Sequence, residues 1–226
     1  NNIAKLLLGN PYAFPETWHS VAYFSSFFVL LPSILVIMLV TNEYNFRTHR
    51  QNIIDGWSRK QFISSKLFDV LILSCIATLV YILVALGFGL YADSSRTYQW
   101  SEQLQYIPLF LLQTFAQLSI AFLLGYLVKK AFIALGVFLF YYLVIENILV
   151  GYLKYKLHAD GVAQFLPFEI SDRLLVAPAF IGKFGKNAKE GYEKALSAVP
   201  EHILLTVILT TIIWLICYRV HKNRDL

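Results

Sequence analysis

Five stretches of the chain are apolar for long enough to cross a lipid bilayer: residues 20–40, 70–91, 107–128, 131–150 and 203–220. A crossing takes about 20 mostly apolar residues when the backbone is helical. Within lipid every backbone N–H and C=O must find its partner inside the protein, so only helices and closed barrels span. These runs are long and lack strict alternation, which predicts helices. What lies between them cannot supply the surface of a soluble domain, because 58% of the residues are hydrophobic and only 15% are charged. The expected fold class is all-α: a polytopic helical membrane protein with five visible transmembrane helices, forming one transmembrane domain over residues 1–226.

Few polar residues interrupt the runs. Pro32 falls in the middle of the first and predicts a kink there. Gln113 and Gln117 lie one helical turn apart in the third, spaced to bond a neighbouring helix or to face a polar path. Glu146 is ionisable and sits toward the end of the fourth, which makes it a functional candidate. It is also near enough to the end to snorkel into water. Ala85 with Gly89, and Ala121 with Gly125, present small residues at the spacing used for close helix packing. Cys75 and Cys217 both fall inside apolar runs and read as fillers, with no disulfide framework.

Orientation follows from the basic residues between spans. Residues 41–67 contain Arg47, Arg50, Arg59, Lys60 and Lys66; the third and fourth runs are joined by Lys129 and Lys130; the tail carries Arg219, Lys222 and Arg224. These three regions alternate correctly to share the cytoplasmic side. Residues 92–106 hold only Arg96 and fall outside, together with 151–201. The latter contains seven Lys and Arg among acids, and loops of this length obey the rule poorly. Trp18, Trp100, Tyr106 and Tyr152 would then form an outer aromatic belt. The net charge of +5 is accounted for by basic residues retained inside, so no nucleic-acid partner is expected. Five spans with an external start, and Met38 as the sole methionine, lead to the expectation of one further N-terminal span, six in the full chain.

Two connecting regions have local order of their own. Residues 42–55 can continue as helix from the first run, until Asp55-Gly56 breaks it. Ser58 and Gln61 then have the spacing of a capping box, so a new helix is expected from Arg59. In the external loop, residues 165–181 are too interrupted by Pro167, Asp172, Arg173 and Pro178 to span. They are apolar enough to dip into the outer leaflet, which would leave Asp172 and Lys183 open to external water.

The stretch "NEYNFRTHRQNIIDGWSRKQFISSK" resembles the signature between the second and third helices of type-2 ABC exporter permeases. The matching residues are Glu43, Arg47, Thr48, Ile53, Ile54, Gly56, Ser58, Arg59, Phe62 and Lys66. The ending "YRVHKNRDL" is similar to the family's last helix, which closes on basic residues, Asp and an aliphatic residue. The family's first helix and the amphipathic segment before it have no counterpart here. The resemblance implies the transmembrane subunit of an ATP-driven exporter in the cell (inner) membrane. It implies a second permease copy or homologue, and a separate ABC ATPase carrying the ATP and Mg. It assigns ATPase coupling to Glu43, Arg47, Thr48, Arg50, Ile53, Ile54, Asp55, Gly56, Ser58 and Arg59, and a re-entrant segment to the external loop. Gln113, Gln117 and Glu146 remain candidates for the substrate path.

The chain has no phosphate-binding Gly-rich loop followed by Lys and Ser or Thr, no Gly-x-Ser-x-Gly elbow, and no partner at ligand spacing for His158 or His202. Catalysis, a cofactor and a metal are therefore not expected on this chain. A rival reading is a stand-alone secondary transporter or channel in which Glu146 titrates; a third is a membrane anchor without transport.

Overall fold

The computed structural model describes residues 11–46, 48, 54, 56, 58–157, 160–178, 180–181 and 188–223. Among them the secondary structure is helical throughout, and five helices are long and apolar enough to cross a membrane. We label the spans α1 (Glu16–Asn45), α2 (Arg59–Ala92), α3 (Tyr106–Val128) and α4 (Ala131–Lys156), followed by a short non-spanning helix α5 (Pro167–Asp172) and the last span α6 (Ala188–Asn223). The chain is a multi-pass membrane protein of the all-α class.

The punctuation of these helices has local causes. Proline lacks the N–H that would bond the carbonyl four residues back, and its ring crowds that carbonyl. For Pro32 that residue is Phe28, and α1 tightens into a 3₁₀ turn over Phe27–Val29. α2 starts where its capping box is satisfied: the Gln61 N–H donates to Ser58 Oγ at 3.2 Å, and the Ser58 N–H donates to Gln61 Oε1 at 2.8 Å. Gly56, just upstream, has φ +96°, a region that suits glycine. α3 stops on Lys129, which turns left-handed at φ 59° and returns its N–H to the Gly125 carbonyl at 3.0 Å. Lys130 is extended, and α4 begins directly after it.

α3 is the central helix, with α1, α2, α4, α5 and α6 all packed on it. Its polar residues Gln113, Thr114, Gln117 and Ser119 are as buried as its apolar ones. Around it lie two apolar clusters. One gathers Ile37, Val40, Phe122, Tyr126, Phe138 and Trp214; the other gathers Phe14, Trp18, Tyr81, Ala85, Phe110 and Leu175. The outward faces are apolar as well: Ile72, Ile76, Leu79, Val80 and Leu83 line an exposed side of α2, and Phe132 on α4 is 90% exposed. A surface of this kind belongs against lipid.

The small-residue positions are close contacts. A Cβ on Gly125 would sit 3.3 Å from Ile37 Cα, and one on Gly89 would run into the Phe14 ring. The Ala85 carbonyl accepts from Thr17 Oγ1. The expected aromatic belt is half corrected. Trp18 and Tyr106 are buried at 1% and 7% exposure, where the Trp18 N–H donates to the Trp100 carbonyl and Tyr106 stacks on His19 at 4.3 Å. Trp100 and Tyr152 do face outward. The Trp18 indole found a protein acceptor and the Tyr106 ring a stacking partner, so two of the four turned inward.

Gly125→Leu should therefore prise α3 from α1 and destabilise the fold by roughly 1–3 kcal/mol, the usual cost of overpacking. Gly136→Ala, where nothing lies within 4 Å of an added Cβ, should be neutral or slightly stabilising. Thermal unfolding of the purified protein in detergent reads both; equal midpoints would refute the close approach.

Candidate functional site: a short helix held by carboxylates

α5 cannot stand alone. A helix of six residues is far below the length at which isolated helices persist, so the bundle must hold it. Its N-terminus has proline in the first turn and Leu166 in the capping position, and Leu166 has no side-chain oxygen to offer. The N–H groups of Phe168 and Glu169 need an acceptor from elsewhere. Glu146 of α4 supplies it: Oε1 accepts from Phe168 N at 2.8 Å and from Glu169 N at 2.7 Å. A carboxylate at this place makes charge-assisted bonds to backbone amides.

The other end of α5 is gripped from α3. Asp172 Oδ1 accepts from Gln113 Nε2 at 2.9 Å and from Gln117 Nε2 at 2.7 Å. The one-turn spacing of the two glutamines lets both amides converge on a single oxygen. Burial pushes the Asp172 carboxyl up to about 7, reinforced by the negative charges of Glu169 and Glu146 and opposed by the two amides. Glu169 is itself paired with Arg173, at 2.8 Å between Nε and Oε1.

The local form of α4 serves this contact. Tyr141–Ile145, immediately before Glu146, and Tyr152–Lys156, after it, are π-helical turns. Such turns widen a helix and recur at functional positions. Asn147 Nδ2 donates to the Tyr142 and Leu143 carbonyls of the first one. Tyr141 and Tyr142 lie beside the Glu146 carboxylate, and Tyr23 of α1 and Tyr142 face Asp172. From α6, His202 is buried at 1% exposure close to Ile170, Glu169 and Arg173.

All three path candidates thus meet at one helix. Glu146 does not snorkel: it is 4% exposed, because two backbone N–H groups hold it inside. The segment around α5 is packed on protein as well. Phe168, Ile170, Leu174 and Leu175 are buried against protein, and the Asp172 carboxylate is turned into the bundle, so external water is not its first neighbour. Lys183 lies outside the described residues. Sequence reasoning missed Asp172, Glu169 and His202 as parts of the site. The available signal was a deficit: two amides in an uncharged helix, and a Leu-Pro helix start without a cap, each require a partner.

The coupling candidates occupy the opposite end of the helices. Glu43, at the foot of α1, forms an ion pair with Lys66 of α2, and Lys66 also reaches Asp69 at 3.3 Å. Thr48 Oγ1 donates to the Glu43 carbonyl at 3.4 Å, and Ile54 is 83% exposed. Gly56 and Ser58 form the turn and cap already described. Arg47, Arg50, Ile53 and Asp55 lie outside the described residues, as does the side chain of Arg59. Among the described residues, no group of three or more His, Cys, Asp or Glu is placed to hold a metal.

Five apolar spans around a polar centre, with a non-spanning helix clamped at one end, define a helical multi-pass membrane protein. By sequence the chain belongs to the DUF2705 family, described as a protein of unknown function, whose profile matches residues 9–226. No curated protein and no solved structure matches it.

Glu146→Ala should orphan two buried N–H donors, each worth roughly 1–3 kcal/mol. A large fall in the unfolding midpoint in detergent is expected. Glu146→Gln keeps an acceptor oxygen and should recover part of it. If the Ala and Gln variants lose equal stability, the carboxylate is not acting as the cap of α5.

Proposed function

We propose that this chain is the permease subunit of an ATP-driven type-2 ABC exporter in the cell (inner) membrane. Two permeases pair, as a homodimer or with a homologue, and each docks on a separate ABC ATPase that binds ATP and Mg. Hydrolysis there drives alternating access of a path between the permeases. The observation that carries this reading is the ordered restart of α2 within the stretch that resembles the family signature. Gly56 has φ +96°, Ser58 and Gln61 cap the next helix, and Ile54 is 83% exposed. A passive tether has no need of a fixed turn and a satisfied cap; a dock for a soluble partner needs both.

The ion pair refines the part played by Glu43. Its acid is not left for the ATPase alone, since Lys66 pairs with it across α1 and α2. In this reading Glu43 and Lys66 tie the two spans together where force enters. The remaining members, Arg47, Thr48, Arg50, Ile53, Ile54, Asp55, Gly56, Ser58 and Arg59, form the docking surface. The rival reading, transport driven by titration of Glu146, is less well supported, because one oxygen of that carboxylate is committed to the backbone of α5.

Full-length protein expressed with its neighbouring genes should co-purify with a P-loop ATPase at one ATPase per permease. Gly56→Val forces a β-branched residue into a left-handed conformation, at roughly 1–3 kcal/mol. It should leave the protein in the membrane and lower ATPase recruitment and transport-coupled hydrolysis in liposomes. Failure to recover any ATPase, or a Gly56→Val variant with full recruitment and coupling, would sink the proposal.

A further inference from the structure

We propose that Asp172, held between Gln113 and Gln117, is a proton-binding site that latches the α5 segment to the bundle, and that loss of the proton releases it. The geometry shows a clamp with two jaws. Glu146 on α4 grips the N-terminal end of α5 through backbone N–H groups, and Gln113 and Gln117 on α3 grip its C-terminal end through Asp172. The first jaw takes backbone donors that keep their protons at any pH. The second closes on a carboxyl that can carry or lose one.

The groups around Asp172 come from four elements. Tyr23 faces it from α1, the two glutamine amides from α3, Tyr142 and Glu146 from α4, and Glu169 from α5 itself. His202 of α6 lies close to Ile170, Glu169 and Arg173. The charged groups acting on Asp172 are thus two further carboxylates, Glu146 and Glu169, and the dipoles opposing them are the two amides. A negative charge at this position is held at a disadvantage, and a neutral carboxyl still offers Oδ1 to both amides.

The direction follows from linkage. In the latched state the Asp172 carboxyl is raised to about 7, whereas a released, hydrated carboxyl titrates near its ordinary value, about 3.9. The latched state therefore binds the proton more tightly. Its advantage is complete below the released value and is lost as the pH rises through about 7. Between pH 6 and pH 8 the ratio of latched to released segment should fall about tenfold. The external end of the bundle opens toward alkaline conditions and closes toward acid. This inference stands on the α5 contacts and does not require the exporter reading.

The test uses the purified full chain in detergent, without ATPase, with Cys75 and Cys217 replaced by Ser. Leu174→Cys reports on the segment, since Leu174 is fully buried two residues from Asp172. Tyr98→Cys, at a site 75% exposed, corrects for the intrinsic pH dependence of thiol reactivity. The ratio of the maleimide labelling rates at the two sites should rise about tenfold from pH 6 to pH 8. Asp172→Asn mimics the neutral carboxyl and should hold the ratio low and flat across that range. Glu102→Gln, at an exposed carboxylate outside the site, should leave the wild-type profile unchanged. A flat wild-type ratio overturns the proposal, as does a pH dependence that survives Asp172→Asn or vanishes with Glu102→Gln.

Discussion

The structure depends on the requirement that polar atoms inside a lipid-facing bundle be satisfied by the bundle itself. Most buried hydroxyls meet it without leaving their own helix. Ser33 donates to the Val29 carbonyl, Thr41 to Ile37, Ser74 to Val70, Thr78 to Ser74, and Thr210 to Thr206. Such bonds say nothing about which helices are neighbours. Those that cross between elements do, among them Trp214 to Ser119, Tyr81 to the Trp18 carbonyl, Trp18 to the Trp100 carbonyl, Thr17 to the Ala85 carbonyl, and above all the set around α5. Apolar packing is nearly indifferent to register in lipid, where tails compete on equal terms with side chains. The crossing polar bonds therefore fix how the spans are arranged, and their densest set joins α3 and α4 to α5.

The two ends of the molecule meet the same requirement with different chemistry. At the end carrying Glu43, charges pair with charges: Lys66 lies between Glu43 and Asp69, and the Lys129 ammonium sits 4.8 Å above the Tyr44 ring. Exposed pairs of this type contribute little, about 0–1 kcal/mol, but Lys66 and Glu43 are mostly covered, and removing either partner would strand the other. At the opposite end carboxylates pair with neutral N–H donors. Asp172 has no cation to offset its burial there, and burial, helped by the charges of Glu169 and Glu146, raises it, while the Glu43–Lys66 pair is internally balanced.

What was readable in the sequence was local. The spans, the break near Pro32, the Ser58 capping box, the left-handed Gly56 and the close approach at Gly125 each depend on residues a few positions apart. The helix ends were less readable. α6 begins at Ala188, well before its apolar run at 203, because residues 188–202 are largely good helix formers and Pro200 does not end the helix. The destination of Gln113, Gln117 and Glu146 was hidden for a different reason. Their partners lie 22 to 59 residues away in sequence, in a segment whose apolar residues suit lipid and protein equally well. The same holds for Trp18, whose acceptor is 82 residues away. Composition could show that these groups needed partners; only the fold could show which.

The placement of α5 has a mechanical consequence. α3 and α4 form a hairpin whose legs are joined by the Lys129–Lys130 link, a connection that leaves little freedom at that end. At the far end the legs are bridged by α5, with Glu146 of α4 on one terminus and the glutamines of α3 on the other. A relative slide or splay of α3 against α4 must stretch one of these two grips, since neither glutamine nor glutamate can follow more than its own side-chain length. Hydrogen bonds weaken steeply once donor and acceptor part beyond about 3.5 Å, so the bridge holds or fails over a small displacement. Because α5 is too short to persist unsupported, losing either grip removes the helix as well as the contact. A small change in the angle of a hairpin pivoting at Lys129 is thereby converted into the presence or absence of an ordered element at the other end. Spans made only of apolar packing would yield gradually; a bridge of short polar bonds would give way over a small displacement.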